Sequence, residues 1–145
     1  MIKPHGSDTL NPLFVYDSEK HHALIREAEG LPSLLVNSAA AANAVMLGAG
    51  YFNPLTGYMS KADALSVARD MKTTSGLFWP VPVVNLTRES GIQAGQRIAL
   101  RDPNVEGNPV LAIMDVEGVE VRVWAACERV AAVLMVTSML CTSVY

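Results

Sequence analysis

The hydrophobic pattern of this chain changes period once, near Phe78. Before that point apolar residues recur at helical spacing, punctuated by caps and glycine stops; beyond it they alternate or run together between turn formers. Helices first and strands later predict an α+β fold with a mixed or barrel-like β core, not a doubly wound parallel sheet. The helical half contains Gly50-Tyr51-Phe52-Asn53-Pro54-Leu55-Thr56-Gly57-Tyr58-Met59, with two glycines, a proline and three aromatic rings in ten residues. That segment makes a tight turn and is expected to bury rings on both sides of it. Phe52, Leu55, Tyr58 and Met59 are its expected core residues.

At 145 residues the chain is one domain. A chain of this length buries roughly 68–70% of its unfolded surface, so it needs neither disulfide nor metal to hold a core. The net charge is −3 and the eleven Lys and Arg are scattered, which argues against a nucleic-acid partner. The cysteines, Cys127 and Cys141, match no zinc spacing and no C-x-x-C motif, so the expected setting is reducing and cytoplasmic. The first residues, Met1-Ile2-Lys3-Pro4-His5-Gly6-Ser7, have no apolar core and do not read as a signal peptide.

Local signals place the elements. Residues 1–12 read as an extended arm, and Leu13-Phe14-Val15-Tyr16 as a short strand. Asp17 or Ser18 caps a helix over residues 19–29 that Gly30 stops. Leu34-Leu35-Val36 is a strand, and Asn37 or Ser38 caps an alanine-rich helix over residues 39–47, ended by Gly48 and Gly50. Ser60 and Asp63 resemble a capping box; Ala64, Leu65, Ala68 and Met71 form the apolar stripe of the next helix, which Gly76 breaks. Pro80 and Pro82 mark an edge or the start of a strand. Arg97-Ile98-Ala99-Leu100-Arg101 is an alternating strand, residues 102–108 a turn-rich loop, and residues 109–116 the return strand of a hairpin.

Few residues carry a chemical signal. Of His5, His21 and His22, the adjacent pair points about 100° apart on a helix and reads as a solvated face rather than a metal site. Gly48-Ala49-Gly50 follows a helix instead of a strand and reads as a helix stop rather than a phosphate loop. Ser33, Ser38 and Ser60 sit at caps or turns. Asp115 and Glu117 share a strand face and read as an exposed strand end rather than an acid–base pair. Arg97 and Arg101 are within reach of an anion but read as a solvated hairpin face.

Five separated segments carry a family resemblance. They are Met1 through Ser7, Gly50 through Met59, Phe78-Trp79-Pro80-Val81-Pro82-Val83-Val84, Arg97 through Asp102, and Gly107 through Glu117. In this order they resemble the N-terminal, PUA-like domain of ATP sulfurylase (sulfate adenylyltransferase). The resemblance implies a reaction that joins sulfate to the α-phosphate of ATP, giving adenosine 5′-phosphosulfate and pyrophosphate, or its reverse in sulfur oxidation. In that family the chemistry resides in a downstream nucleotidyltransferase-like domain marked by Q-x-R-N, H-x-x-H and G-R-D-H segments. This sequence holds none of them. No catalytic, cofactor-binding or metal residue is therefore assigned, and no cofactor is expected in this chain. ATP is a substrate of the full-length enzyme, and neither ATP nor sulfate is expected to bind this portion well.

The resemblance covers residues 1–117. Residues 118–145 differ: only Glu120, Arg122, Glu128 and Arg129 are charged, and none follow Arg129. The expectation is a divergent apolar tail, from a frameshift or a premature end of the frame. Residues 130–145 are shorter than the roughly 20 that span hydrocarbon and carry Thr137, Ser138, Thr142 and Ser143, so no membrane anchor is expected. The isolated chain is expected to be inactive, with an apolar partner face and a tendency to form homo-oligomers. The alternative is a free-standing PUA-like module for RNA or a protein partner; fold alone is weak warrant for RNA binding.

Overall fold

The computed structural model describes residues 2–89, 91–123 and 130–142. Its elements in order are β1 (Phe14–Val15), α1 (Ser18–Glu29), β2 (Ser33–Leu35), α2 (Ser38–Gly48), α3 (Lys61–Asp70), β3 (Asn85–Thr87), β4 (Arg97–Arg101), β5 (Val110–Val123) and β6 (Val130–Thr142). The strands form one six-stranded mixed sheet in the order β1-β6-β5-β4-β2, with β3 also on β6. β4–β5, β5–β6 and β3–β6 are antiparallel; β1–β6 and β2–β4 are parallel. The fold is α+β as expected. Of the two forms expected for the β core it is the mixed one, with its ends left open.

The caps explain where the helices begin. Asp17 accepts from the Lys20 amide, Asn37 from the Ala40 amide and Ser60 from the Asp63 amide, each satisfying a donor that the first turn leaves free. α1 and α2 cover opposite faces of the sheet. Leu24 and Ala28 of α1 pack on Ala99 and Ile113. Ala40, Ala41, Ala44 and Leu47 of α2 pack with Leu34, Ile98, Leu100 and Met114. β4 is therefore buried on both faces, which corrects the alternating, half-solvated reading. Ala99 has too little side chain to advertise burial, yet its size is what lets α1 approach.

Two further readings need correction. α3 ends at Asp70, where Met71 takes the left-handed conformation at φ 52°; Gly76 instead closes the following turn. Its buried residue is Val67, while Ala68 and Met71 face solvent. Ala64 packs at the core margin and Leu65 is half-buried, so the expected stripe holds at its start and fails at Ala68 and Met71. In the opening segment Tyr58 and Met59 are buried and Phe52 and Leu55 pack at the core margin, but Tyr51 stands outside. Residue 117 lies within β5, and β6 belongs wholly to the segment after it. Trp124, Cys127, Glu128 and Arg129 lie outside the described residues. No helix among the described residues is long and apolar enough to cross a membrane.

Burial sets the state of two inner groups. The Tyr58 hydroxyl donates to Ala40 O at 2.7 Å, and burial raises the phenol far above its ordinary range. Burial likewise pushes the Cys141 thiol up to about 12, so it is an inert packing residue rather than a reactive one.

The end of α2 meets β1 at close range. A Cβ on Gly48 would lie 2.5 Å from Cε1 of Phe14, and the Leu13 amide donates to Gly48 O at 2.8 Å. Gly48→Ala should cost about 1–3 kcal/mol in urea unfolding, because the ring must shift. Pairing it with Phe14→Leu should recover part of the loss.

A second test concerns Asp63. Burial pulls its pKa up, but hydrogen bonds from the Thr74 hydroxyl at 2.7 Å, the Thr74 amide at 2.8 Å and the Ser60 hydroxyl outweigh it and hold the pKa below its ordinary value. Its stabilisation is complete above the unfolded carboxylate range and is lost as pH falls through the lower folded value. Urea midpoints measured from about pH 6 to about pH 3 should fall, and Asp63→Asn should flatten that part of the curve.

Candidate functional site

The site grows from the opening segment. α2 ends at Gly48, and Gly50 turns the chain at φ 80°, a backbone region that costs a glycine little. The turn closes through Tyr51 N to Met46 O at 3.0 Å and Asn53 N to Gly50 O at 3.2 Å. Asn53 is then buried, with every carboxamide atom used. Its Oδ1 accepts from the Asn11 amide at 2.9 Å; its Nδ2 donates to Ser7 Oγ at 2.6 Å and His5 O at 3.1 Å. One side chain thus fastens the N-terminal arm across the loop.

Residues 71–79 build the opposite wall. Thr73 N donates to Leu77 O at 2.8 Å and Trp79 N to Met71 O at 2.9 Å, forming a tight reversal around Gly76. Gly6, at φ 70°, fits beneath it; a Cβ there would lie 2.8 Å from Leu77 Cδ2 and 2.9 Å from Pro54 Cδ. His5 Nε2 lies 2.8 Å from Phe78 O, so that nitrogen carries the proton and donates. The His5 and Trp79 rings are 5.9 Å apart, and Phe52 meets Trp79 edge-on at 5.9 Å and 77°. Between the walls lies a cleft of about 350 Å³ lined by His5, Tyr51, Phe52, Phe78, Trp79, Pro80 and Val81.

This cleft holds aromatic area, the Tyr51 phenol and one imidazole, with no thiol, amine or carboxylate among its lining residues. Its lining offers mainly apolar contact. The sequence reading took Phe78, Trp79 and Pro80 as the approach to a strand and His5 as part of an arm. Their convergence depends on the Asn53 clamp and the 71–79 reversal, and only the cluster Phe78-Trp79-Pro80 hinted at it.

The other candidates are placed as follows. Arg97 is shared between Glu27, at 2.6 Å from Nε, and Asp115, at 2.9 and 3.1 Å from Nη1. Arg101 donates to Ser33 Oγ at 3.2 Å and Asn108 O at 3.3 Å. The two arginines line a structural seam against α1, β5 and β2. Asp115 therefore has a third polar partner, distant in sequence. The β5 register shifts on both sides of Val116, so Asp115 and Glu117 lose the simple two-residue relation of a regular strand. Ser38 donates to Asn104 Oδ1 at 2.7 Å, and Ser60 caps α3. The His21 and His22 rings are 5.9 Å apart at 60° on α1. Among the described residues no three His, Cys, Asp or Glu side chains gather to hold a metal. Asn85 is fully buried, with neither carboxamide atom hydrogen-bonded.

An open mixed sheet with a helix on each face and a clamped N-terminal arm defines a small α+β domain of PUA-like type. The model of the PUA-like domain family matches residues 2–137, and this chain belongs to that family. The sulfate adenylyltransferase of Alcanivorax borkumensis is 58% identical over 132 residues, covering 90% of this chain and 33% of that protein. That of Allochromatium vinosum is 64% identical over 121 residues, covering 83% of this chain and 30% of its own length. The solved hexameric APS kinase from Thiobacillus denitrificans superposes with a TM-score of 0.71 at 32% identity, over 95% of this chain and 27% of that one. The chain thus spans about a third of the curated relatives it matches.

The clamp makes a specific forecast. Asn53→Ala removes three hydrogen bonds and should cost about 2 kcal/mol or more. Amide exchange in the arm, at Ser7 and Asn11, should speed up, while the β4–β5 core amides keep their relative order of protection.

Proposed function

We propose that this chain is the PUA-like portion of a sulfate adenylyltransferase and does not itself carry out the reaction. The observation that carries this is the 58% identity to the Alcanivorax borkumensis enzyme over one third of its length. The resemblance in five ordered segments supports it, and so do the contacts that tie Arg97 and Arg101 to neighbouring elements. In this reading the domain frames and orients a nucleotidyltransferase domain that supplies the residues for ATP and sulfate. Its own part is rigidity and surface, the two things a catalytic partner needs if reacting groups are to be held in line. The setting is cytoplasmic, the assembly a homo-oligomer, and no cofactor belongs to this portion.

The test is sulfate-dependent exchange of pyrophosphate into ATP with the purified chain. No exchange above the enzyme-free rate is expected, and measurable turnover would overturn the reading. Filter retention of RNA that weakens with salt would instead favour a free-standing binding module. The net charge of −3 predicts little retention.

A further inference from the structure

We infer that the aromatic cleft between the Gly50 turn and the 71–79 reversal is the seat of the catalytic domain in the longer enzyme. This rests on the reading of the chain as part of a sulfate adenylyltransferase. Tyr51, Phe78 and Val81 around its rim are 74%, 54% and 59% exposed, whereas Trp79 at its floor is 6% exposed. Large apolar side chains gathered at one opening mark a surface built for a partner rather than for water. The floor is already fixed: Asn53 fastens the arm, His5 holds the Phe78 carbonyl, and Phe52 supports Trp79. A rigid aromatic surface loses little freedom when it is covered, which is how anchoring residues gain their weight.

The occupant follows from length and position. The matched residues make up 33% and 30% of two relatives, so about two thirds of such an enzyme lies outside them. β6, most of which falls within the family match, runs to Thr142 beside β1. There the Cys141 amide donates to Leu13 O at 3.0 Å, and the Leu13 amide donates to Gly48 O at 2.8 Å. Gly48 ends α2 and precedes Tyr51 by three positions, so hydrogen bonds through Leu13 link the end of β6 to the turn that carries one lining residue of the cleft. With no acidic or basic side chain other than His5 in its lining, the cleft selects an apolar or aromatic face, not a charged one.

The experiment compares this chain with a chimera. Residues 2–117 replace the matching segment of the full-length Alcanivorax borkumensis enzyme, and both proteins are footprinted with hydroxyl radicals. Labelling of Tyr51 and Phe78 is expected to fall several-fold in the chimera. Tyr51→Ser with Phe78→Ser should lower the chimera's melting temperature but leave that of the 145-residue chain nearly unchanged, since both side chains are exposed there. An active chimera with undiminished labelling overturns the inference and spares the reading beneath it. A folded but inactive chimera overturns the reading, and the inference falls with it. Protection that develops in the isolated chain as its concentration rises assigns the cleft to a second copy and also overturns the inference.

Discussion

The fold depends on a pair of strands buried from both sides. β4 and β5 pair antiparallel across residues 97–101 and 110–115, and their middle residues are lost to solvent on each face. Ile98, Leu100 and Met114 meet α2, while Ala99 and Ile113 meet α1. Each helix covers one face because its small residues permit it: Ala28 on α1, and Ala40, Ala41 and Ala44 on α2. The outer strands then add by parallel pairing, β2 to β4 and β1 to β6. Both of these connect residues far apart in sequence, so neither end of the sheet can form before the second half of the chain is in place.

Much of this was legible because local chemistry decides helix starts. Asp17, Asn37 and Ser60 each sit where a first turn needs an acceptor, and each serves there. The β4 strand and the turn-rich stretch after it were equally plain, since Asp102 and Asn108 satisfy the loop through their own side chains and backbone. The family resemblance, too, lay in residues that shape turns and fill the core, which is why it could be read from one sequence.

What could not be read depends on contacts between distant segments. Ala99 gives no hydropathic sign that a helix will cover it. The stripe on α3 assumed that every apolar position faces inward, whereas Val67 is buried, Ala64 packs at the margin, and Ala68 and Met71 face solvent. The spacing of Asp115 and Glu117 promised a shared face, but register shifts interrupted the strand and Arg97 arrived from its neighbour. The cleft is the strongest case. His5, Phe52 and Trp79 are separated by 47 and 27 positions along the chain. A single buried asparagine brings the arm that carries the first of them onto the loop that carries the second.

That asparagine illustrates a division running through the molecule. Several polar side chains are committed to holding backbone or one another. Asn53 binds the arm, Asp63 binds Thr74, Arg97 ties α1 to the hairpin, and the Thr142 hydroxyl reaches Val110 O and Leu111 O. A group held in this way has little capacity left for a substrate. Tyr51, Phe78 and Val81, by contrast, remain outside a fold that buries every other aromatic of the cleft at least in part. A domain whose polar groups largely serve its own architecture, and which leaves Tyr51, Phe78 and Val81 exposed around one cleft, has an apolar surface available for contact.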